Sequence, residues 1–413
     1  MRKILSILVV TLTLLSCTSE ENPVIPPTEQ FSIYVAKEYK ADSQTIYAVL
    51  HNDDGSVLDF KEVVNDDTLK FTLPESATYH LTIHKGQINK GIKTSNLITY
   101  MDIPTGQTIS LGLPTESTLI SAEPDESFEV NVKHSGSIKI INICNAIGNK
   151  SNFSSVTNNV AQAKMQSNKG LDEHLISLVD KEGKSFYKTF ILDKEKNNYS
   201  FDIDEFKNYD FEVQIENQEI RIVNFLIQGM VYRDNELKRA FSTSVFISEY
   251  SGIDSERYTL GYLNRYPLFE TNIFAKVKNN ENQSLSIASR SSAPPLLDLA
   301  TPQPLQVQSK KISNFSLILP ASFERWNASW LYQENNDIPI AWSIHGNTTE
   351  IPEFKLPTEL VAENDQLQMI SELKLSYTKM IKGKFSYKEW LLNEFVERND
   401  PLEFQEVTWT ELY

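Results

Sequence analysis

Cysteine, glycine, positive charge and long apolar runs are all scarce in this sequence of 413 residues, and each scarcity excludes a class of protein. Two cysteines are too few for a disulfide framework, and the 14 glycines form no phosphate-binding fingerprint. Lysine and arginine total 39 against 55 aspartates and glutamates, so the net charge of −16 leaves no basic face for nucleic acid. No apolar run reaches the roughly 20 residues that a membrane-spanning helix needs. Cys144 lies in a strand-like apolar run and is predicted to be a buried, inert thiol.

The N-terminal segment carries the most specific pattern in the chain. Residues 1–3 are Met-Arg-Lys, residues 4–15 are apolar except for one serine and two threonines, and Ser16 and Cys17 follow. A positive start and an apolar stretch of this length are typical of a secretory signal peptide. The small residue before the cysteine resembles the bacterial lipobox, which implies a signal peptide at 1–16 and a lipid such as palmitate on Cys17. The alternative is a soluble secreted protein in which this cysteine is incidental.

An acidic pair, Glu20 and Glu21, lies shortly after Cys17. This pair resembles the export tag of Bacteroidetes surface lipoproteins, which implies an outer-membrane protein exposed on the cell surface. The inward-facing leaflet of the outer membrane is the alternative. Residues 22–30 contain three prolines, and such a spacer extends by about 3.1 Å per residue. We therefore predict a lipidated tether at 17–30.

From residue 31 onward, apolar and polar residues alternate with a period of two. Leu69, Phe71 and Leu73 alternate with Lys70 and Thr72, which is the pattern of a half-buried strand. Short runs of this kind, bounded by Asn, Asp, Pro and Gly, recur along the chain. They predict a mainly β fold of tandem antiparallel β-sandwich domains.

Two segments of the chain share a faint repeat. In the first, the Asn-Asp-Asp-Gly sequence at 52–55 reads as a hairpin turn, and Gly55 precedes Tyr79 by 24 residues. In the second, Gly183 precedes Tyr209 by 26 residues. A hairpin followed by two strands resembles transthyretin-like, immunoglobulin-like or carboxypeptidase-regulatory-like sandwich modules. The alternative is that two unrelated β-meanders look alike.

These patterns divide the chain into five parts. We predict a lipoprotein signal peptide at 1–16, a lipidated tether at 17–30, β-sandwich modules at 31–114 and 115–230, and a C-terminal β region at 231–413 that is Trp-rich after residue 320 and splits near 293–304. A polar insertion at 145–174 is predicted as a loop or as a surface helix around residues 160–165. Ser386 and Glu389 fit a capping box and predict one short helix near the C-terminus.

Catalytic and metal-binding motifs are missing from the sequence, since neither G-x-S-x-G nor H-E-x-x-H occurs. His80 and His84 fall on a predicted strand, where four residues span about 13 Å, so they cannot share one zinc ion and are predicted to be solvated. Asp202, Asp204 and Asp210 lack the glycine of a calcium loop and are predicted to lie on a solvated strand face. We therefore predict no catalytic residue, no metal and no cofactor.

All five tryptophans lie beyond residue 320. Trp326, Trp330 and Trp342 are candidates for stacking on sugar rings in a glycan-binding surface. Two of them also alternate with polar residues along one predicted strand, which favours packing in a core. Separately, the Asp-Thr-Leu sequence at 67–69 resembles the O-glycosylation pattern of Bacteroidetes, which implies a sugar on Thr68.

The sequence therefore favours a non-catalytic, lipid-anchored envelope protein that presents β-sandwich modules for adhesion, scaffolding or ligand capture. Its expected partners are the membrane, through the N-terminal lipid, and an extracellular glycan or another envelope protein, but no nucleic acid. One alternative is a surface glycan-binding accessory of polysaccharide uptake. A second alternative is a hydrolase whose pair of acidic residues cannot be identified without the fold.

Overall fold

The structure, a computed structural model, describes most of the chain beyond residue 28. Strands make up 61% of it and helices 10%, which confirms the predicted mainly β fold. Within the described residues, no helix has both the length and the apolar character needed to cross a membrane. The described residues are 29–74, 78–89, 91–112, 126–145, 153–167, 173–193, 195–216, 219–233, 236–242, 245–246, 257–293, 306–334, 337–397 and 401–413.

The first seven strands form a sandwich of two sheets. They are β1 (Glu29–Val35), β2 (Gln44–His51), β3 (Val57–Glu62), β4 (Asp67–Leu73), β5 (His80–Asn89), β6 (Ile92–Tyr100) and β7 (Thr108–Leu111). One sheet has the order β4-β1-β7, and the other contains β6-β5-β2-β3. Phe31 of the first sheet and Ile46 of the second meet in one core. Leu69, Phe71 and Leu73 all face this core, as their alternation predicts.

The next eight strands form a second sandwich with its own core. They are β8 (Glu126–Lys133), β9 (Ile138–Asn145), β10 (Phe153–Val156), β11 (Val160–Ser167), β12 (Glu173–Asp180), β13 (Ser185–Ile191), β14 (Asn198–Asp202) and β15 (Lys207–Asn208). Their two sheets have the orders β10-β11-β8-β14 and β15-β13-β12-β9. Ala161, Ala163 and Met165 of β11 are buried, so the loop or surface helix predicted around 160–165 is wrong. Because two of these three side chains are only methyl groups, the period of two is weak in the sequence there.

The two sandwiches repeat one order of strands. β1 pairs with β4 antiparallel and with β7 parallel, and β8 pairs with β11 and β14 in the same way. The order β2-β5-β6 recurs as β9-β12-β13. Gly55 and Gly183 both form hairpin turns with positive φ angles, as predicted. Gly55 follows β2, however, whereas Gly183 follows β12, so the predicted alignment of these two turns joins strands that are not equivalent.

The remaining strands build the C-terminal half. They are β16 (Phe211–Glu216), β17 (Ile220–Arg233), β18 (Glu236–Ser242), β19 (Val245–Phe246), β20 (Arg257–Tyr262), β21 (Leu268–Val277), β22 (Asn280–Ser291), β23 (Gln306–Ser309), β24 (Ser316–Ile318), β25 (Arg325–Glu334), β26 (Asp337–Gly346), β27 (Lys374–Gly383) and β28 (Phe404–Leu412). The module boundary predicted at residue 230 falls inside β17, which pairs along its length with β21. The predicted split near 293–304 lies almost entirely outside the described residues.

One large sheet joins the first sandwich to the C-terminal half. Its order is β18-β17-β21-β22-β28-β27-β25-β26-β6-β5-β2-β3, with β19 beside β17. Neighbouring strands in it are antiparallel except β26 and β6, which run parallel with Ile340 opposite Ser95. The predicted module at 31–114 and the predicted region at 231–413 thus share one hydrogen-bonded sheet.

Short helices and helical turns connect some of the strands, and one helix packs into the core of the first sandwich. The described residues contain two α-helices, α1 (Thr358–Glu363) and α2 (Tyr387–Leu392), together with 3-10 turns at Ile203–Glu205, Ile312–Asn314 and Asp365–Glu372 and a π-helical turn at Asn393–Glu397. Ser386 and Glu389 form the predicted capping box at the start of α2, which confirms that helix. Tyr387, Leu391 and Phe395 enter the core of the first sandwich.

Candidate functional site

The three tryptophans that are candidates for glycan stacking lie in the protein interior. Trp326 is 1% exposed, Trp330 0% and Trp342 2%. The indole N–H groups of the first two donate to backbone carbonyl oxygens, those of Thr348 and Lys310, at 2.8 Å each. A buried ring offers no face to a sugar. The glycan-stacking interpretation of these residues is therefore wrong, and the core-packing alternative holds.

The alternation along β25 was ambiguous because the sheet is covered on both sides there. The first six residues of β25 are all buried, whichever way they point. On one side, Phe315 packs edge-on against Trp330 with ring centroids 4.9 Å apart. On the other side, Arg325 lies 2.6 Å from the Glu406 carboxylate and over the ring of Trp390.

The two histidines predicted to be solvated are also buried, and that prediction is wrong. His80 is 3% exposed and His84 0%. Phe354 crosses this face of the sheet and packs edge-on against His80 and His51, with ring centroids 5.3 Å apart in both cases. The polar face of β5 is thus covered by a segment from the C-terminal half of the chain.

A chain of hydrogen bonds runs through this covered face. The Trp342 indole donates to the Thr99 hydroxyl at 2.9 Å, and the Thr99 and Thr82 hydroxyls are 2.7 Å apart. Thr82 Oγ1 lies 2.8 Å from His51 Nε2, and His51 Nδ1 lies 3.2 Å from the Gly55 carbonyl oxygen. Because a carbonyl oxygen only accepts, Nδ1 carries the hydrogen and Nε2 accepts from the threonine. Burial lowers the pKa of His51 to about 4, so this ring is neutral at pH 7.

His80 is held neutral by a similar arrangement. The Asp102 backbone N–H donates to its Nδ1 at 3.0 Å, and its Nε2 lies 3.4 Å from the Asp53 carbonyl oxygen. Burial lowers the pKa of His80, and the Asp102 carboxylate at 3.7 Å opposes this effect only in part. In the part of the chain that the structure describes, no group of three or more His, Cys, Asp or Glu could hold a metal ion.

Of the two candidate modification sites, only Thr68 is among the described residues. Thr68 is exposed on β4, which forms one end of its sheet, and its backbone N–H donates to the Asp67 carboxylate at 2.7 Å. O-glycosylation of Thr68 stays a prediction. Cys17 lies outside the described residues.

The acidic residues considered for calcium are solvated, as predicted, but they do not share a strand face, because only Asp202 lies in a strand. Asp202, Asp204 and Asp210 are all exposed. The Asp202 side chain accepts from the backbone of Asp204 and caps a 3-10 turn. Cys144 is fully buried, as expected for a structural thiol.

A polar groove opens beside His84, at the end of the covered face. Alternate residues of a strand share a face, so His84, Gly86 and Ile88 of β5 point the same way, and the glycine leaves a gap between the other two. The groove has a volume of about 220 Å³. We term it the Gly86 groove, and its main polar lining consists of Ser43, Thr45, Gln87, Thr94, Asn364 and Gln366.

The far wall of the Gly86 groove is the end of α1 and the turn that follows it. Asn364 Nδ2 donates to the Leu360 carbonyl oxygen at 2.9 Å, and Asn364 Oδ1 lies 3.6 Å from the position that a Cβ at Gly86 would take. The Glu363 carboxylate accepts from the Tyr47 hydroxyl at 3.0 Å. Burial, followed by this hydrogen bond, raises the pKa of Tyr47 to about 12. Both wall side chains are therefore held by bonds to the protein.

Sequence reasoning missed this groove because its two walls are distant in the chain. The first wall belongs to β2, β5 and β6, and the second to residues 363–366. One signal was present: Gly86 interrupts a strand, and a glycine inside a strand often marks a close approach of another group.

Comparisons with known proteins leave the family open. No protein-family model matches the chain, and no curated protein matches it. Among solved structures, the chain is similar to the tip fimbrial protein Mfa3 from Porphyromonas gingivalis with a C-terminal truncation, at 8% identity and a TM-score of 0.14, over 53% of this chain and 100% of that one. It is also similar to SGBP-B of the Bacteroides ovatus mixed-linkage glucan utilization locus, in complex with a mixed-linkage heptasaccharide. The identity is 11% and the TM-score 0.11, and the match covers 92% of this chain and 93% of that one. TM-scores this low carry no argument.

Proposed function

We propose that this protein is a non-catalytic, lipid-anchored outer-membrane protein of the Bacteroidetes surface type, which presents β-modules for adhesion, scaffolding or ligand capture. The observation that carries the proposal is the order of the N-terminal residues: a basic start, an apolar stretch, Ser16 and Cys17, and then the acidic pair Glu20 and Glu21. The β body supports the presenting role. β1 begins at Glu29, within the last two residues of the predicted tether, and the sheet that contains β6 continues into the C-terminal half.

We also propose that the two sandwiches are transthyretin-like modules, at 31–114 and within 115–230. The support is the strand order that they share, in which the first strand has an antiparallel neighbour on one side and a parallel neighbour on the other. A repeated module suits a surface protein because each copy adds length to the part of the chain that it presents.

Glycan binding is the second candidate, and one observation favours it. The Gly86 groove presents hydroxyl and amide groups at a site that a small ligand can reach. The hydrolase alternative has less support there. Hydrolysis of a glycoside needs two carboxyl groups on either side of the scissile bond, and Glu363 is the single carboxylate among the residues that line the groove.

The anchor can be tested by replacing Cys17 with alanine. We expect the variant to lose incorporation of radioactive palmitate and to leave the outer-membrane fraction, because several acyl chains hold a protein durably whereas its soluble body does not. Cys144→Ala is the matched control, since it removes the other cysteine and should retain both label and membrane. Equal labelling of the Cys17→Ala and wild-type proteins would contradict the anchor.

Surface exposure can be tested through the acidic pair behind the anchor. Replacing Glu20 and Glu21 with alanine should reduce cleavage of the protein by protease added to intact cells. Replacing the same two residues with aspartate keeps the charge and should keep the cleavage. If all three proteins are cleaved equally, these residues are not an export tag.

A further inference from the structure

The floor of the Gly86 groove lies where a larger residue at position 86 would place its side chain. A Cβ built at Gly86 would lie 3.5 Å from His84 Cε1, 3.5 Å from the Thr45 carbonyl oxygen and 3.6 Å from Asn364 Oδ1. These are ordinary contact distances, so the floor of the groove fits closely around a missing side chain. Any side chain beyond a single methyl group would extend from there into the groove.

The lining offers hydrogen-bond donors and acceptors side by side. The Thr45 hydroxyl can do both, and the Gln366 amide carries one group of each kind, whereas the Thr94 hydroxyl already donates to the Gln87 carbonyl oxygen and the Gln87 amide oxygen accepts from Gln44. A ligand hydroxyl is likewise both a donor and an acceptor. A ring that carries several hydroxyls therefore finds a partner in each direction.

One buried polar atom below the floor lacks a partner. His84 is fully buried, its Nε2 lies 3.3 Å from the Ser95 hydroxyl, and its Nδ1 has no hydrogen-bond partner among the described residues. Cε1, the ring carbon next to Nδ1, borders the floor at Gly86. An edge of this buried imidazole therefore forms part of the groove floor.

The size, charge and exposed apolar surface of the groove restrict the kinds of ligand that it can bind. A volume of about 220 Å³ is below the roughly 300 Å³ at which pockets for drug-sized molecules begin, so the groove suits a single ring. Lys93 and Glu363 bring one charge of each sign, which favours a ligand without net charge. Ile88 is 59% exposed and gives one wall an apolar surface that matches the C–H face of a sugar ring.

We propose that the Gly86 groove binds one neutral pyranose unit of a glycan, with Asn364 Oδ1 as a fixed acceptor and Ile88 against the apolar face of the ring. This proposal deepens the ligand-capture role above and rests on it. Because the Asn364 amide is already held by Leu360, the site is partly ordered before the ligand arrives, which lowers the entropic cost of binding.

The test is saturation-transfer NMR on the full chain, purified in a detergent without a sugar headgroup. The probes are the methyl glycosides of glucose, galactose, mannose and N-acetylglucosamine, with glucuronic acid as a charged comparison. We expect at least one neutral glycoside to bind saturably. Gly86→Val should weaken that binding by at least about tenfold, because its two methyl groups occupy the floor. Gln366→Ala should also weaken the binding, and it removes no buried apolar side chain. Thr72 is exposed on β4, so Thr72→Val is the control that should leave the binding unchanged.

Three outcomes would overturn the proposal. They are the lack of saturation transfer to every glycoside, binding of equal strength in wild type, Gly86→Val and Gln366→Ala, and a preference for glucuronic acid over the neutral sugars. If Gly86→Val does not fold, the binding of the glycosides to Gln366→Ala tests the proposal. The assay uses purified protein, so it does not depend on the anchor. If no sugar binds but palmitate is still incorporated, the sugar-binding proposal is wrong and the proposal of an anchored scaffold stands. If sugar binds but palmitate is not incorporated, the lipid anchor is wrong and the sugar-binding proposal stands.

Discussion

Lowering the pH from 7 to 5 should destabilise the folded protein by about 4 kcal/mol through two buried histidines alone, His51 and His84. Burial lowers the pKa of each ring from 6.5 to about 4. Below pH 6.5 the unfolded chain binds a proton on each ring, whereas the folded protein does not until the pH nears 4. The stabilisation is therefore complete above pH 6.5 and is lost progressively toward pH 4, with about 2 kcal/mol per ring gone at pH 5.

The hydrogen-bond chain gives His51 a second reason to stay neutral. Protonation at Nε2 would turn this acceptor into a donor, so the Thr82 hydroxyl would have to donate to Thr99 instead. Thr99 already accepts from the Trp342 indole, which cannot reverse its direction. The Thr99 hydroxyl hydrogen would then lose its acceptor within the chain. Glu411, whose pKa burial raises, has the opposite dependence on pH and offsets a part of the loss.

Urea unfolding midpoints at pH 7, 6 and 5 measure this effect. His51→Gln and His84→Gln should each remove about 2 kcal/mol of the pH dependence, whatever they cost at pH 7. Other rings supply the rest, among them His345, whose pKa burial lowers to about 3. Trp330→Phe is the control, because it removes buried contacts without a titratable group and should lower the midpoint equally at each pH. A wild-type midpoint that stays constant from pH 7 to pH 5 would contradict the assignment of these rings as buried and neutral.

Local chemistry could be predicted from the sequence wherever neighbours in the chain decide the structure. The alternation of Leu69, Phe71 and Leu73 gave the buried face of β4. Gly55 and Gly183 marked hairpin turns because their left-handed φ angles favour glycine. The capping box at Ser386 depends on a residue only three positions away and gave the start of α2.

Features that depend on distant segments could not be predicted in this way. The polar face of β5 reads as solvated until Phe354 is known to cover it, and the tryptophans of β25 read as a single buried face until both sides of the sheet are known to be covered. The parallel pairing of β26 with β6 has no local signal in either strand. The Gly86 groove has the same origin, since its walls meet only in the folded chain.

Truncating the chain after residue 403 should unfold the C-terminal half, because β28 is an interior strand of the large sheet. It pairs with β22 from Gln283 to Arg290 and with β27 from Tyr377 to Gly383. Its removal leaves two open edges and takes Trp409 out of a core shared with β17, β21 and β22. We expect a loss on the order of the whole stability of a domain, about 5–15 kcal/mol.

The first sandwich should unfold together with the C-terminal half, whereas the second should survive. β6 of the first sandwich pairs with β26, and Tyr387, Leu391 and Phe395 fill the first core from the C-terminal segment. The second sandwich closes its main core with its own two sheets. Limited proteolysis of the truncated chain should therefore leave a resistant fragment near residues 126–208. A chain that lacks only Tyr413 is the control and should resist protease like the full protein, and equal resistance of the truncated chain would show that β28 is dispensable.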